Sequence, residues 1–176
     1  ISGSVGIDDG RVVELHGTGS TLAANANIQM NPTNSGLAPA GILSNVSGAI
    51  FSITGDSASI STQSFGGADN GASARFDNAG TVRKTAGSGT STIGVQFNNT
   101  GTVEVDSGTL SFGSGYTQTA DGGLRIRVAD ATAGTGYGQV IVQGTATLAG
   151  SLQIDFPSGY TPAPGDQLIP VTYGSR

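Results

Sequence analysis

Cysteine and tryptophan are absent from this 176-residue chain, histidine and methionine occur once each, and proline only six times. Without cysteine there is no disulfide framework and no thiolate metal site. With His16 as the only imidazole, multi-histidine metal centres are excluded and any Ser-His dyad would depend on that one residue. Charge is scarce too: 7 Lys and Arg against 12 Asp and Glu give a net charge of −5, with no basic run to track a phosphate backbone. No nucleic-acid partner is expected. No apolar stretch approaches the roughly 20 residues that span a bilayer, so no membrane insertion by this segment is expected either. The chain shows no signal peptide and begins at Ile1, which reads as a processed or excised piece of a longer polypeptide. Nowhere is a 3.6-residue apolar period sustained, and essentially no helix is predicted.

What the chain has in quantity is glycine, 30 residues of it, with Ser, Thr and Asn between short β-branched runs. There is no Gly-X-Y period, so this is not collagen, and the recurring runs argue against a disordered tail. Gly-rich turns between short strands fit. The organising stretch is Phe76 to Phe112, in which Phe76-Asp77-Asn78-Ala79-Gly80-Thr81-Val82 returns as Phe97-Asn98-Asn99-Thr100-Gly101-Thr102-Val103. A unit this short cannot bury its apolar side alone, so successive copies must stack. Stacking places Phe76 over Phe97 as an apolar pile, Asn78 over Asn99 as an amide ladder at a corner, and Gly80 and Gly101 at the turn. The residues therefore describe an all-β solenoid.

Before the repeat, Val5 and Ile7, then Val12, Val13 and Leu15, read as two short strands around Asp8-Asp9-Gly10. Residues 23–41 read as an irregular loop or imperfect turn, with one helical turn at Ala23–Asn27 as the other possibility. Leu43-Ser44-Asn45-Val46-Ser47-Gly48 is a degenerate third copy, followed by a strand at Ile50–Ile53 and another turn and strand at Gly55–Ile60. Phe65 to Ser73 reads as a polar loop, and Thr90 to Val95 as a half-buried strand. After Phe112 the strands lengthen. Leu124–Val128 alternates with Arg125 and Arg127 on one face, and strands are expected at Gln139–Val142, Ala146–Leu148, Ser151–Phe156 and Gln167–Val171, the last an edge or terminal strand because of Pro170.

The phrases from Phe76 to Phe112 resemble the repeat of large secreted or surface-attached bacterial β-helix proteins. The tail, Tyr137 to Tyr160 with Pro164-Gly165-Asp166-Gln167-Leu168-Ile169, is similar to the closing region of autotransporter-like passengers. The resemblance covers about residues 43–173. It implies a right-handed parallel β-helix exported from a Gram-negative-type cell, with a C-terminal part that caps the stack, serving as adhesin, biofilm or surface-layer component, or spacer. The strands of an outer-membrane barrel, which such passengers precede, are not found in this sequence.

Candidates for chemistry are few. His16 reads as a solvated imidazole beside a turn, and no G-x-S-x-G elbow accompanies it. Asp8 and Asp9 offer oxygens that calcium favours, but an Asp-Gly turn is the simpler reading, as it is for Asp121-Gly122-Gly123 and Gly165-Asp166. Right-handed β-helices include polysaccharide lyases, which makes Arg83 stacked over Glu104, and Glu104 beside Asp106, worth testing. An exposed ladder ion pair and a solvated polar face are the expected outcomes. Gly94, Gly113 and Gly115 make no phosphate cradle, since no helix N-terminus follows. The Thr-rich phrases lack the fixed period that an ice-binding array needs. Tyr116, Tyr137 and Tyr160, if exposed, would offer stacking platforms for sugars.

The sequence thus predicts a solenoid repeat region over residues 1–115 and a C-terminal β region over 116–176, sandwich-like, capping or continuing the stack. About eight turns of some 20 residues, rising ~4.8 Å each, would make a rod near 40 Å long. No catalytic residue, cofactor or metal is expected. The function expected is a non-enzymatic extracellular structural or adhesive segment at the bacterial cell surface. Its partners would be neighbouring repeats of a parent chain, copies of itself joined by strand addition at the N-terminal turns, or surface glycans. The alternative is a carbohydrate-binding or lyase-like β-helix.

Overall fold

A computed structural model describes residues 1–33, 40–67, 70–157 and 159–176, and among these eighteen strands and no helix occur. Residues 34–39 of the stretch expected to be irregular, and 68–69 of the expected polar loop, lie outside the described residues. All strand pairs are parallel, and the chain coils so that every third strand returns to the same face. This is a parallel β-helix.

The first face stacks β1 (Ser4–Ile7), β4 (Asn27–Met30), β7 (Ser59–Thr62), β10 (Thr90–Ile93), β13 (Thr109–Phe112), the first half of β16 (Gln139–Leu148), and β18 (Val171–Ser175). The second stacks β2 (Val12–Leu15), β5 (Ile42–Asn45), β8 (Arg75–Asn78), β11 (Gln96–Asn99), β14 (Gly115–Gln118) and the second half of β16. The third is a separate six-stranded sheet of β3 (Ser20–Leu22), β6 (Ile50–Ile53), β9 (Thr81–Lys84), β12 (Thr102–Val105), β15 (Gly123–Arg127) and β17 (Ser151–Asp155).

Strand alternation puts one residue in two inside, and parallel register turns those residues into columns along the axis. Phe76, Phe97 and Tyr116 form one such column, Leu43 precedes them, and Val82, Val103 and Leu124 form another. The aromatic rings touch in sequence. Phe76 meets Phe51 edge-on at 5.6 Å and Phe97 at 5.2 Å between centroids, and Tyr116 stacks on Phe97 at 5.5 Å and Phe112 at 4.7 Å. Each fully buried ring contributes on the order of 1.5–3 kcal/mol by removal from water.

Several sequence expectations are corrected. Among the described residues the stack holds six rungs and one further strand rather than eight turns, about 30 Å at ~4.8 Å per rung. The repeat interval is elastic: Asn78 and Asn99 are 21 residues apart, Asn45 and Asn78 33, because corner loops take up the difference. In the stretch read as an irregular loop or an imperfect solenoid turn, Asn27–Met30 is a regular strand of the stack whose Ile28 and Met30 point inward. The strands expected at Gln139–Val142 and Ala146–Leu148 are one ten-residue strand. It crosses from the first face to the second at Gly144, where a Cβ would run into the carbonyl oxygen of Ser114. The last strand starts at Val171 and not at Gln167; Pro170 just before it has no N–H to donate, though its carbonyl accepts from the Val140 N–H at 2.8 Å. From residue 115 onward, the strands continue the same parallel pairing, with no sandwich-like arrangement among the described residues.

Candidate functional site

Three regions concentrate polar or exposed groups: an internal ladder, the outer surface of the third face, and the two ends. The ladder runs along the corner between the second and third faces. Asn45 Nδ2 donates to Asn78 Oδ1 at 2.8 Å, Asn78 Nδ2 to Asn99 Oδ1 at 2.7 Å, and Asn99 Nδ2 to Gln118 Oε1 at 3.2 Å. Gln118 Nε2 ends the series on the carbonyl of Ala149 at 2.6 Å. Each amide also donates to a backbone carbonyl of the next rung, Thr81, Thr102, Gly123 and Ser151 in turn. Asn in a buried position survives only with such partners. The turn beside it is held tight by glycine, since a Cβ at Gly101 would run into the carbonyl oxygen of Gly80, and one at Gly80 would meet Asn45 and the carbonyls of Val46 and Ala49.

The six repeat residues singled out in the sequence thus lie together, Phe76 over Phe97, Asn78 over Asn99 and Gly80 over Gly101, the first five buried in the stack and Gly101 partly exposed at the turn. Tyr116 and Tyr137, considered as sugar platforms, are buried. Burial pushes the Tyr116 hydroxyl pKa far up, although Asn99 also bonds to it, and its proton goes to Gln118 Oε1 at 2.6 Å. Tyr160 is half-buried, its hydroxyl on Asp166 at 2.6 Å, and that bond pushes its pKa up to about 12.

On the third face, outward-pointing Ser52, Arg83, Glu104, Arg125 and Gln153 form a column. Arg83 does lie over Glu104, but the ion pair forms one rung further on: Glu104 pairs with Arg125 at 2.8 Å, Arg125 reaches Asp155 at 3.5 Å, and Arg83 Nε donates to Ser52 Oγ at 2.9 Å. Arg125 wins because it has carboxylates on both sides. Asp106 nearby is half-buried, and its pKa is raised by burial first and by Glu104 second, against the opposing pull of Arg125, Arg127 and Arg83. Between these side chains, where Gly123 has none, Thr102, Ser151 and Gln153 border a polar trough of about 360 Å³.

Asp8 shows why the Asp-Gly turn reads as structure. Asp9 and Gly10 take positive φ, and the buried Asp8 carboxylate accepts from the Asp9 N–H and from the N–H and hydroxyl of Thr33. Its burial alone would raise its pKa, but these hydrogen bonds, Thr33's hydroxyl foremost, outweigh that and hold it low. His16 sits exposed at 3.1 Å from Glu14. Among the described residues no three His, Cys, Asp or Glu gather as a metal site would require, and no helix is long and apolar enough to cross a membrane.

Sequence reasoning missed Lys84. It occupies the inward column of Ile53, Val105 and Ile126, with its side chain fully buried. Its ammonium donates to the carbonyls of Gly55 at 3.3 Å and Ala86 at 2.6 Å and pairs with Asp56 at 3.0 Å, clamping the corner between the third and first faces. The signal was its spacing of 21 from Val105, available once the repeat had been aligned.

The ends differ from the middle. At the first rung Val5 is 42 % and Val13 40 % exposed, although both point inward over Ile28 and Leu43; at the last, Leu148 is 46 %, Leu152 57 % and Tyr173 45 % exposed. These last three, with Leu124, Val171 and Gln118, surround a largely apolar cleft of about 360 Å³. Set against known proteins, the chain matches no family model, no curated protein and no solved structure, and its function has to be read from this geometry.

Proposed function

We propose that the chain is a non-enzymatic structural and adhesive segment of a larger bacterial surface or matrix protein, an extracellular spacer built to hold a shape. The observation that carries this reading is where the polar chemistry has gone. The amides and the buried ammonium are spent on stacking one rung on the next, and the charges of the third face on one another. The likeness of the Phe-x-Asn phrases to surface β-helix repeats supports an exported setting. The spacer reading is tested by negative-stain electron microscopy, in which short rods of uniform width are expected. It is tested again by incubation with a panel of acidic and neutral polysaccharides, where release of unsaturated or reducing ends would overturn it.

A second reading, carbohydrate binding along the third face, is favoured by the trough at Gly123 with Glu104, Arg125 and Gln153 beside it. Planar charged and amide side chains grip vicinal hydroxyls in pairs, and one such side chain stands on each of four successive rungs, Arg83, Glu104, Arg125 and Gln153. A glycan array read with the native chain and with Arg125→Ala decides it: signals lost on substitution support binding there, and a blank array excludes it.

A further inference from the structure

We propose that the third face pairs, side by side, with the third face of a second copy of this chain running the opposite way; this names the partner of the adhesive reading above and rests on it. The ground is the order of the charges. Beside the outward column of Arg83, Glu104, Arg125 and Gln153 stands a second one, in which Asp106, one residue past β12, is followed by Arg127 and Asp155. Rung by rung, β9 presents one guanidinium, β12 and its next residue two carboxylates, β15 two guanidiniums and β17 one carboxylate. Charges of the two signs are equal in number, so a second copy meets no net repulsion from this face. Arg125 is shared between Glu104 and Asp155, whereas Arg83 and Arg127 have no carboxylate in ion-pair contact among the described residues. The face has cations left to offer.

Reversed, this order is its own complement. A two-fold axis along the strands, midway between β12 and β15, turns one rod over and keeps each outward column opposite itself. It sets Glu104 against Arg125 and Asp106 against Arg127, each contact made twice, and brings Arg83 over Gln153 with Asp155 diagonal to it. In the neighbouring column Thr102 meets the gap that Gly123 leaves, which is the trough of this face. Copies running the same way keep each rung opposite itself and exchange the two charged columns, so that Glu104 meets Asp106 and Arg125 meets Arg127. Like charges in contact are costly, and the antiparallel sense is thereby selected. Four facing rungs ~4.8 Å apart and three columns ~7 Å apart make a contact of roughly 20 by 15 Å, the size of a weak, transient interface. Strength comes from number, because copies on two facing surfaces join at many such points.

The test is sedimentation velocity of the native chain over a wide range of concentration, at low and at high salt, alongside Glu104→Arg and Arg125→Glu, with circular dichroism confirming that each variant is folded. The native chain is expected to dimerise at low salt and to dissociate as salt screens the pairs. Each variant alone is expected to associate at least ~10-fold more weakly, since it sets like charges opposite each other, and an equimolar mixture to regain the dimer, because each reversed charge then meets its opposite. Asp106→Arg and Arg127→Glu make the same exchange in the next column if either of the first two does not fold. A native chain that stays monomeric at low salt overturns the proposal while leaving the spacer reading, judged by rods in the microscope, standing. A Glu104→Arg variant that dimerises by itself overturns it in favour of parallel pairing, in which the new cation faces Asp106. A dimer indifferent to salt and to both substitutions overturns it in favour of contact through another face.

Discussion

The middle rungs and the terminal rungs are built on the same inward columns and filled differently. From Arg75 to Arg127 the columns carry phenylalanines, a stacked tyrosine and three amides, all out of water. In the first and last rungs the corresponding positions are Val13 and Ala146, Leu15 and Leu148, Ser20 and Leu152. An amide is tolerable inside only where a rung above and a rung below both supply partners, and an aromatic ring gains its full burial only between two others. Position in the stack, more than hydrophobicity, therefore decides what a column can hold.

The sharpest way to break this comparison is Phe97→Ala, which removes the ring that touches Phe76, Phe112 and Tyr116. A loss of about 3–5 kcal/mol in urea unfolding is expected, against less than about 1 kcal/mol for Val13→Ala in the first rung, where the side chain is partly exposed. An equal loss at both positions would mean that the ends are as tightly packed as the middle. Next comes the ladder: Asn78→Ala takes the side-chain acceptor from Asn45, whose Nδ2 keeps the Thr81 carbonyl, and leaves Asn99 Oδ1 without its donor, a cost of about 1–3 kcal/mol. Asn45→Leu is expected to cost less, because Asn45 Oδ1 has no partner to lose and Leu15 lies beneath it. Lys84→Met falls in between, since methionine keeps the apolar stem but takes the ammonium from Asp56 and the carbonyl of Ala86, while Gly55 keeps the Ser91 hydroxyl, and native-state hydrogen exchange should localise the loosening to that corner.

What was legible in the sequence was what repeats by identity. Phe76 with Phe97, Asn78 with Asn99 and the weaker Leu43 and Asn45 pair in the register their spelling implied. What was not legible were substitutions inside a column. Tyr116 reads as an exposed ring, and nothing marks Lys84 as buried, until each is set over its neighbours in the stack, where Val105 and Phe97 show that both point inward. The number of rungs escaped for a related reason, since loop length at the corners costs little closure entropy and is free to drift. The third-face trough was half visible: Arg83 over Glu104 was read from spacing, but the pairing with Arg125 depends on Asp155, which belongs to no recognisable repeat.

Smaller effects come from titration. Asp8 and Asp56 have pKa values below the ordinary carboxylate range, Asp56 chiefly through its hydrogen bond from Lys84. What they contribute to stability is present above the unfolded-state pKa and lost as the pH falls through the folded one. Asp106, raised, works the other way: its contribution is present in acid and lost as the pH rises through its folded value. Melting curves from neutral pH to about pH 3 should show Asp8→Asn less stable than the native chain at neutral pH and converging with it in acid. Asp106→Asn should show a small gain at neutral pH that vanishes in acid, and a gain that persists would contradict the assignment. The least effect is expected of Arg125→Ala, below about 1 kcal/mol for a solvent-facing pair and weaker still in high salt.

The internal ladder has one more property. Each amide donates toward the C-terminal end, Asn78, Asn99 and Gln118 accept from the N-terminal side, and the carbonyls of Thr81, Thr102, Gly123 and Ser151 hold all four in that orientation. Their dipoles add along the axis, so the rod has an electrical sense running through its core, with an unpaired acceptor, Asn45 Oδ1, at the negative end. A line of this kind grows in one way. An asparagine in place of Leu15 would offer that oxygen the donor it lacks and lengthen the line by one rung, whereas at the other end Gln118 has already closed it on the carbonyl of Ala149.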